Sequence, residues 1–131
     1  MTDAVEIVSD LVKIPSVSPF GRNETERRER FERCREVLAY LEEFLQKQGA
    51  QTEQLVFEGG HDKWWYPVPN LYAELTIGDR KAAGHKFLCY MGHIDVVPVG
   101  EEKLWRRPPF SGQVDEGFVW GRVATDKKDS G

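Results

Sequence analysis

The sequence predicts an α/β fold: the opening part of a mixed, mostly parallel sheet flanked by helices, ending before such a domain is complete. Three observations predict it. Two amphipathic helical patterns come first, strand-like segments follow from about residue 51, and the run "KFLCYM" (86–91) is apolar on both faces. A strand of that last kind suits the centre of a parallel sheet covered on both sides. Only two helices precede it, and a crossover helix normally follows such a strand, so residues 1–131 read as the N-terminal portion of one domain, with no second domain.

The first helix is placed over residues 3–14, where Ile7, Val8, Leu11, Val12 and Ile14 make a stripe closed by Pro15. Asp3 and Glu6 have capping-box spacing. After the loop "SVSPFGRN", Asn23 or Thr25 starts a long helix that Gly49 can end. Its stripe is Phe31, Cys34, Leu38, Leu41 and Leu45, widened by Val37 and Phe44. Six arginines fall between positions 22 and 35, but Glu24, Glu26, Glu29, Glu32 and Glu36 interleave with them at helix-pairing distances. That pattern predicts a solvated, salt-bridged face rather than a basic nucleic-acid patch.

Beyond Gly49, "TEQLVFE" reads as a short strand and "HDKWWYPVP" as an irregular loop. "NLYAELTI" alternates Leu71, Ala73, Leu75 and Ile77 against Tyr72, Glu74 and Thr76, a half-buried strand. After the turn region "GDRKAAGHK" comes the apolar strand, then a loop-rich stretch with Trp105, Pro108 and Pro109. "SGQVD" and "FVWG" predict a small hairpin joined across Glu116-Gly117.

Composition narrows the function classes. With 40% hydrophobic and 31% charged residues the chain is globular in character. A net charge of −4 speaks against general nucleic-acid binding. No apolar run approaches the roughly 20 residues of a membrane helix, and "MTDAVEIVSDLVKIPS" does not read as a signal peptide. Cys34 and Cys89 sit in apolar patterns without metal-type spacing, as reduced thiols do, so the expected address is the cytoplasm with no membrane partner.

The chemistry is concentrated where the apolar run ends in "GHID". Open α/β sheets place ligands at the carboxyl ends of their strands. His93 stands there, and Asp95 is near enough in sequence to hydrogen-bond its ring and fix the tautomer. Asp126 adds a hard oxygen donor suited to bridging two divalent ions. The same residues also suit a structural His–Asp pair and a solvated loop carboxylate beside Lys127 and Lys128. His61 and His85 lie in turn-like segments and are read as non-ligands. The aromatics at 64–66 are read as loop packing, and Trp105 and Phe110 as pins for the loop near the site.

The longer run "YMGHIDVVPVG…LWRRPPFSGQVDEGFVWGRVATDKK" resembles the co-catalytic zinc peptidases and deacylases typified by acetylornithine deacetylase, succinyl-diaminopimelate desuccinylase, aminoacylase and related carboxypeptidases. The matching pieces are Gly92 to Pro98, Trp105, Pro109-Phe110, Glu116-Gly117, Trp120-Gly121-Arg122, Ala124, Asp126 and Lys128; "LVKIPSVSP" and "PNLYAEL" are similar to that family's opening helix and second strand. The resemblance implies a zinc-peptidase-type sheet and two divalent metal ions, zinc with cobalt or manganese as alternatives. It implies His93 as a ligand of one ion, Asp95 as the carboxylate that orients His93, and Asp126 as the bridge. The implied reaction is hydrolysis of an amide in an N-acyl-amino acid or small peptide.

Two positions depart from the pattern. Val123 stands at the second glycine of Gly-Arg-Gly and is expected to keep negative φ. Asp129 replaces the glycine after the lysine, adding a negative charge near the bridge. The family's general-base glutamate, its other acidic ligands and its last histidine lie downstream, while this sequence ends five residues after Asp126. Half a metal site is expected, inactive alone, because zinc takes three or four protein ligands. The alternatives are a non-catalytic interaction module built on that fold, or assembly with a second chain that completes the site. Without a covering helix, Leu88, Tyr90 and their neighbours are expected to form an apolar patch through which the chain self-associates.

Overall fold

The computed structural model describes residues 3–19, 23–59, 66–78 and 86–122. Asp126, Val123, Asp129, His61, His85, Trp64 and Trp65 therefore lie outside the described residues. The chain divides into two compact units, one of Met1–Val37 with Asp95–Gly131 and the other of Leu38–Ile94.

In the first unit, α1 spans Ala4–Lys13. Asp3 is its N-cap, its side chain accepting from the Val5 N–H at 3.2 Å. The helix stops at Ile14 because Pro15 follows and disfavours helical backbone before it. Its inward side centres on Ser9 and Val12. A short hairpin, β3 (Gln113–Asp115) and β4 (Phe118–Trp120), pairs antiparallel beside this helix. The Ser9 hydroxyl donates to the Gly112 carbonyl at 2.7 Å, satisfying a buried polar group on each side. The hairpin turn is Glu116-Gly117, where the sequence puts it; φ is +54° and +81°, as a type I′ turn requires at both central residues.

The long helix α2 spans Glu24–Lys47 and crosses from one unit's residues into the other's. Asn23 starts it, its side-chain oxygen accepting from the Glu26 N–H at 2.9 Å. Gly49, at φ +89°, ends it, and the Ala50 N–H returns to the Leu45 carbonyl at 3.0 Å. Cys34, Val37 and Leu38 of the expected stripe are buried. The interleaved charges pair along the helix as their spacing predicts: Arg30 with Glu26, Arg33 with Glu36 at 2.7 Å, Arg35 with Glu32 at 3.7 Å and Lys47 with Glu43 at 2.6 Å. Exposed pairs of this kind contribute little to stability, because water screens them.

In the second unit, β1 (Gln51–Gly59) and β2 (Tyr66–Glu74) form one antiparallel pair, with Val56 opposite Pro69 and Phe57 opposite Val68. β2 starts earlier than the alternation in "NLYAELTI" suggests and takes in Pro67 and Pro69. The two prolines share a parity, so both can occupy positions whose missing N–H points away from the partner strand. Glu42 and Gln46 of α2 hold Thr52, at 2.9 and 2.7 Å, and Glu42 also accepts from Gln54.

The α/β class holds, but the mostly parallel sheet does not describe these strands. Both pairs of strands are antiparallel, and the single parallel contact among the described residues is an isolated bridge between Val17 and Val96. Nor do residues 86–91 form a strand; Phe87 is 92% and Met91 93% exposed. The physical reason is that a strand exists through its neighbours. An apolar run specifies burial on two faces, but no described segment pairs with it.

Candidate functional site

The candidate site is built around the bridge at Val96. Its N–H donates to the Ser16 carbonyl at 2.9 Å, and its own carbonyl accepts from the Ser18 N–H at 2.8 Å. The segment "IPSVSP", extended because its prolines exclude helix, thus holds the backbone next to Asp95. Ser16, Ser18 and Val96 are all buried. The Ser18 hydroxyl is also buried and has no hydrogen-bond partner among the described residues. Asp95 is half-buried; His93, two residues earlier and in the other unit, is exposed.

Asp95 also acts on Cys34. Burial first, and the Asp95 charge second, push the Cys34 thiol from its ordinary 9.0 up to about 11. The Cys34 thiol sits 3.9 Å from the Ser16 carbonyl, the same oxygen that receives the Val96 N–H.

Beyond Val96, two indole–guanidinium pairs organise the loops. The Arg122 guanidinium lies 4.8 Å from the Trp105 ring centre and donates to the Pro98 carbonyl at 2.7 Å. The Trp105 indole N–H donates to the Val99 carbonyl at 2.9 Å. Trp105 therefore does pin the loop after the Gly-His-x-Asp motif, as expected of it. Arg107 stacks on Trp120 at 4.0 Å and pairs with Asp115 at 2.6 Å, while the Trp120 indole N–H donates to the Asp115 carbonyl at 3.1 Å. Arg107 is only 14% exposed, whereas its partner Asp115 is 43% exposed, so the guanidinium is the sheltered end of this ion pair. Arg107 Nη1 and Arg122 Nε are buried with no hydrogen-bond partner among the described residues. The indole face beside each guanidinium supplies part of the missing interaction.

Sequence reasoning did not find the Arg107–Trp120 stack or the Ser16–Val96 clamp. The clamp joins residues 80 positions apart, and no local pattern encodes it. Gly121 carried a signal that was available. It is the first glycine of the Gly-Arg motif, at φ +152°, and a Cβ there would meet Val12 Cγ1 at 2.2 Å and the Pro109 carbonyl oxygen at 2.9 Å. Close packing against α1 is what this glycine serves.

As metal donors, an imidazole and a carboxylate are of the right kind. Among the described residues, however, no group of three or more His, Cys, Asp or Glu side chains converges to hold an ion. No described helix is long and apolar enough to cross a membrane.

Comparison with known proteins agrees with the motif. The sequence profile of Peptidase family M20/M25/M40 matches residues 89–131, which include His93, Asp95 and Asp126. A succinyl-diaminopimelate desuccinylase from Bradyrhizobium sp. strain BTAi1 is 34% identical over 129 residues, covering 98% of this chain and 28% of that protein. One from Cereibacter sphaeroides is 36% identical over 126 residues, covering 96% of this chain and 27% of that protein. One from Xanthobacter autotrophicus is 33% identical over 123 residues, covering 93% and 26%. The chain spans about a quarter of the length of the curated relatives it matches. By this profile and these relatives, the chain is similar to members of Peptidase family M20/M25/M40.

Proposed function

We propose that this chain is the metal-binding opening of a hydrolase that cleaves the amide of an N-acyl-amino acid or small peptide in the cytoplasm. The observation that carries the reading is the profile match across residues 89–131, reinforced by relatives whose name specifies removal of a succinyl group from succinyl-diaminopimelate. A pair of divalent ions, zinc by preference with cobalt or manganese as substitutes, would supply Lewis-acid polarisation of the amide carbonyl. His93 would offer a neutral imidazole nitrogen to one ion. Asp95 would accept the other ring N–H, fixing the tautomer and keeping the imidazole facing the ion. Asp126 would bridge. The described donors are right in kind and too few, so the chain alone is expected to be inactive.

The test is a chimera. This chain replaces the corresponding segment of the Bradyrhizobium desuccinylase, and amine release from N-succinyl-diaminopimelate is followed with and without added zinc. The expected result is zinc-dependent activity in the chimera, none in the isolated chain, and loss of at least a hundredfold on His93→Ala. A folded chimera whose activity survives His93→Ala would overturn the reading, as would amidase activity of the isolated chain that survives the same change.

A second reading, that the chain serves as an interaction module, is favoured by one observation. Phe87, Leu88, Tyr90 and Met91 form an exposed apolar run. Runs of this kind mark interaction surfaces or aggregation hazards, and the occupant proposed is a second copy of the chain. Sedimentation at rising concentration tests it; a monomer throughout would remove it.

A further inference from the structure

We infer that Arg30 and Cys34 of α2 are positioning residues for Asp95, acting through the carbonyls of Ser18 and Ser16. This rests on the reading of Asp95 as the carboxylate that orients His93. Arg30 and Cys34 are four residues apart and therefore share one face of α2. Arg30 Nη1 donates to the Ser18 carbonyl at 3.3 Å, and the Cys34 thiol donates to the Ser16 carbonyl at 3.9 Å, the long end for a sulfur donor. Ser16 and Ser18 are the two residues that grip Val96, one accepting from its N–H at 2.9 Å and the other donating to its carbonyl at 2.8 Å.

The Val96 N–H lies in the same rigid peptide plane as the Asp95 Cα. Holding that N–H fixes the plane and anchors the Asp95 Cα, which narrows the directions in which the Asp95 side chain can leave the backbone. Every member of the relay except Arg30 is buried: Cys34, Ser16, Ser18 and Val96. Water therefore cannot readily replace a lost partner, and each bond is costly to leave unmade. Arg30 is in turn held by its ion pair with Glu26 on the preceding turn. The helix thus sets the loop, the loop sets Val96, and Val96 anchors the backbone from which the carboxylate projects.

The test uses the whole 131-residue chain and two NMR readouts: amide exchange at Val96 and Ser18, and the 13Cγ resonance of Asp95. Arg30→Met keeps the alkyl stem and removes the donors; Cys34→Ala removes the thiol. Each is expected to speed exchange at Val96 and Ser18 about tenfold and to move the Asp95 resonance, with the α1 and β3–β4 amides unchanged. Arg30→Lys and Cys34→Ser, which restore a donor, are expected to return both readouts part of the way. Glu26→Gln, which leaves the Arg30 donor in place, is expected to shift them least. Uniform faster exchange across the unit would mean a merely structural role and overturn the proposal. So would faster Val96 exchange with an unmoved Asp95 resonance, or no change at either amide. None of these readouts depends on catalysis, so failure here and failure of the desuccinylase chimera are separate results.

Discussion

Cys34 and Asp95 are coupled electrostatically: after burial, the Asp95 negative charge is the next cause of the thiol's rise to about 11. A thiol with a raised folded pKa resists ionisation, so the folded state is favoured fully below the ordinary value of 9.0 and loses that advantage as pH climbs toward about 11. In a Cys89→Ser background, the pH dependence of Cys34 alkylation is expected to have its midpoint near 11. Asp95→Asn should bring the midpoint down without reaching 9.0, because burial, the larger cause, remains. An unmoved midpoint would show that the carboxylate charge does not reach the thiol. Cys89, which is exposed, should react freely in the parent chain.

Three glycines at positive φ separate backbone strain from crowding. Gly117 and Gly112 have φ of +81° and +57°, but a Cβ at Gly117 meets nothing within 4 Å, whereas one at Gly112 meets the Ser9 carbonyl oxygen at 2.4 Å. Gly121 adds the clash with Val12 Cγ1. Gly117→Ala should therefore cost only the left-handed penalty, about 1–2 kcal/mol. Gly112→Ala and Gly121→Ala should each cost about 2–4 kcal/mol, because overpacking adds to the strain. Urea midpoints of the three variants decide this; equal losses would mean that α1 does not pack on the hairpin as described.

Glu116 is the one described non-glycine residue with positive φ. Glutamate has no short polar side chain with which to stabilise that conformation, whereas asparagine does. Glu116→Asn gives up an ion pair with Arg107 at 3.7 Å, on a side chain that is mostly exposed, while Arg107 keeps Asp115 at 2.6 Å. Such an exposed pair contributes about 0–1 kcal/mol. The turn preference should win, with a net gain of about 0.5 kcal/mol in thermal or urea unfolding. A loss would mean that Arg107 needs both carboxylates.

What was legible in the sequence was local. Asp3, Asn23 and Gly49 announce the helix ends through caps whose chemistry acts within four residues, and Glu116-Gly117 announces its turn in the same way. The strand expected at 86–91 is absent, because an apolar run states that burial is wanted and not which partner provides it. The antiparallel pairing of β1 with β2 was likewise missed: two prolines in "YPVP" read as loop until a partner strand gives them outward-facing positions. Of the candidate site, the motif proposes His93 and Asp95. The residues that hold Asp95 in place come from the α1–α2 loop and from α2, and their contact is tertiary.

The loop that follows the motif gives a last prediction, since Arg122 closes it by two contacts that a lysine cannot make together. The guanidinium lies over Trp105 at 4.8 Å while Nη2 reaches the Pro98 carbonyl at 2.7 Å. An ammonium is a point charge on a flexible stem and can keep one of these but not both. Arg122→Lys should therefore destabilise the unit by about 1 kcal/mol and change the Trp105 emission, as the indole loses its cover. The proper control is Arg106→Lys, since Arg106 is exposed and only approaches Trp120, at 5.9 Å. That change should leave both stability and emission near those of the parent. If the two lysine variants behave alike, the guanidinium over Trp105 contributes nothing, and the Val99 carbonyl held by the indole N–H at 2.9 Å must be enough to keep the loop closed.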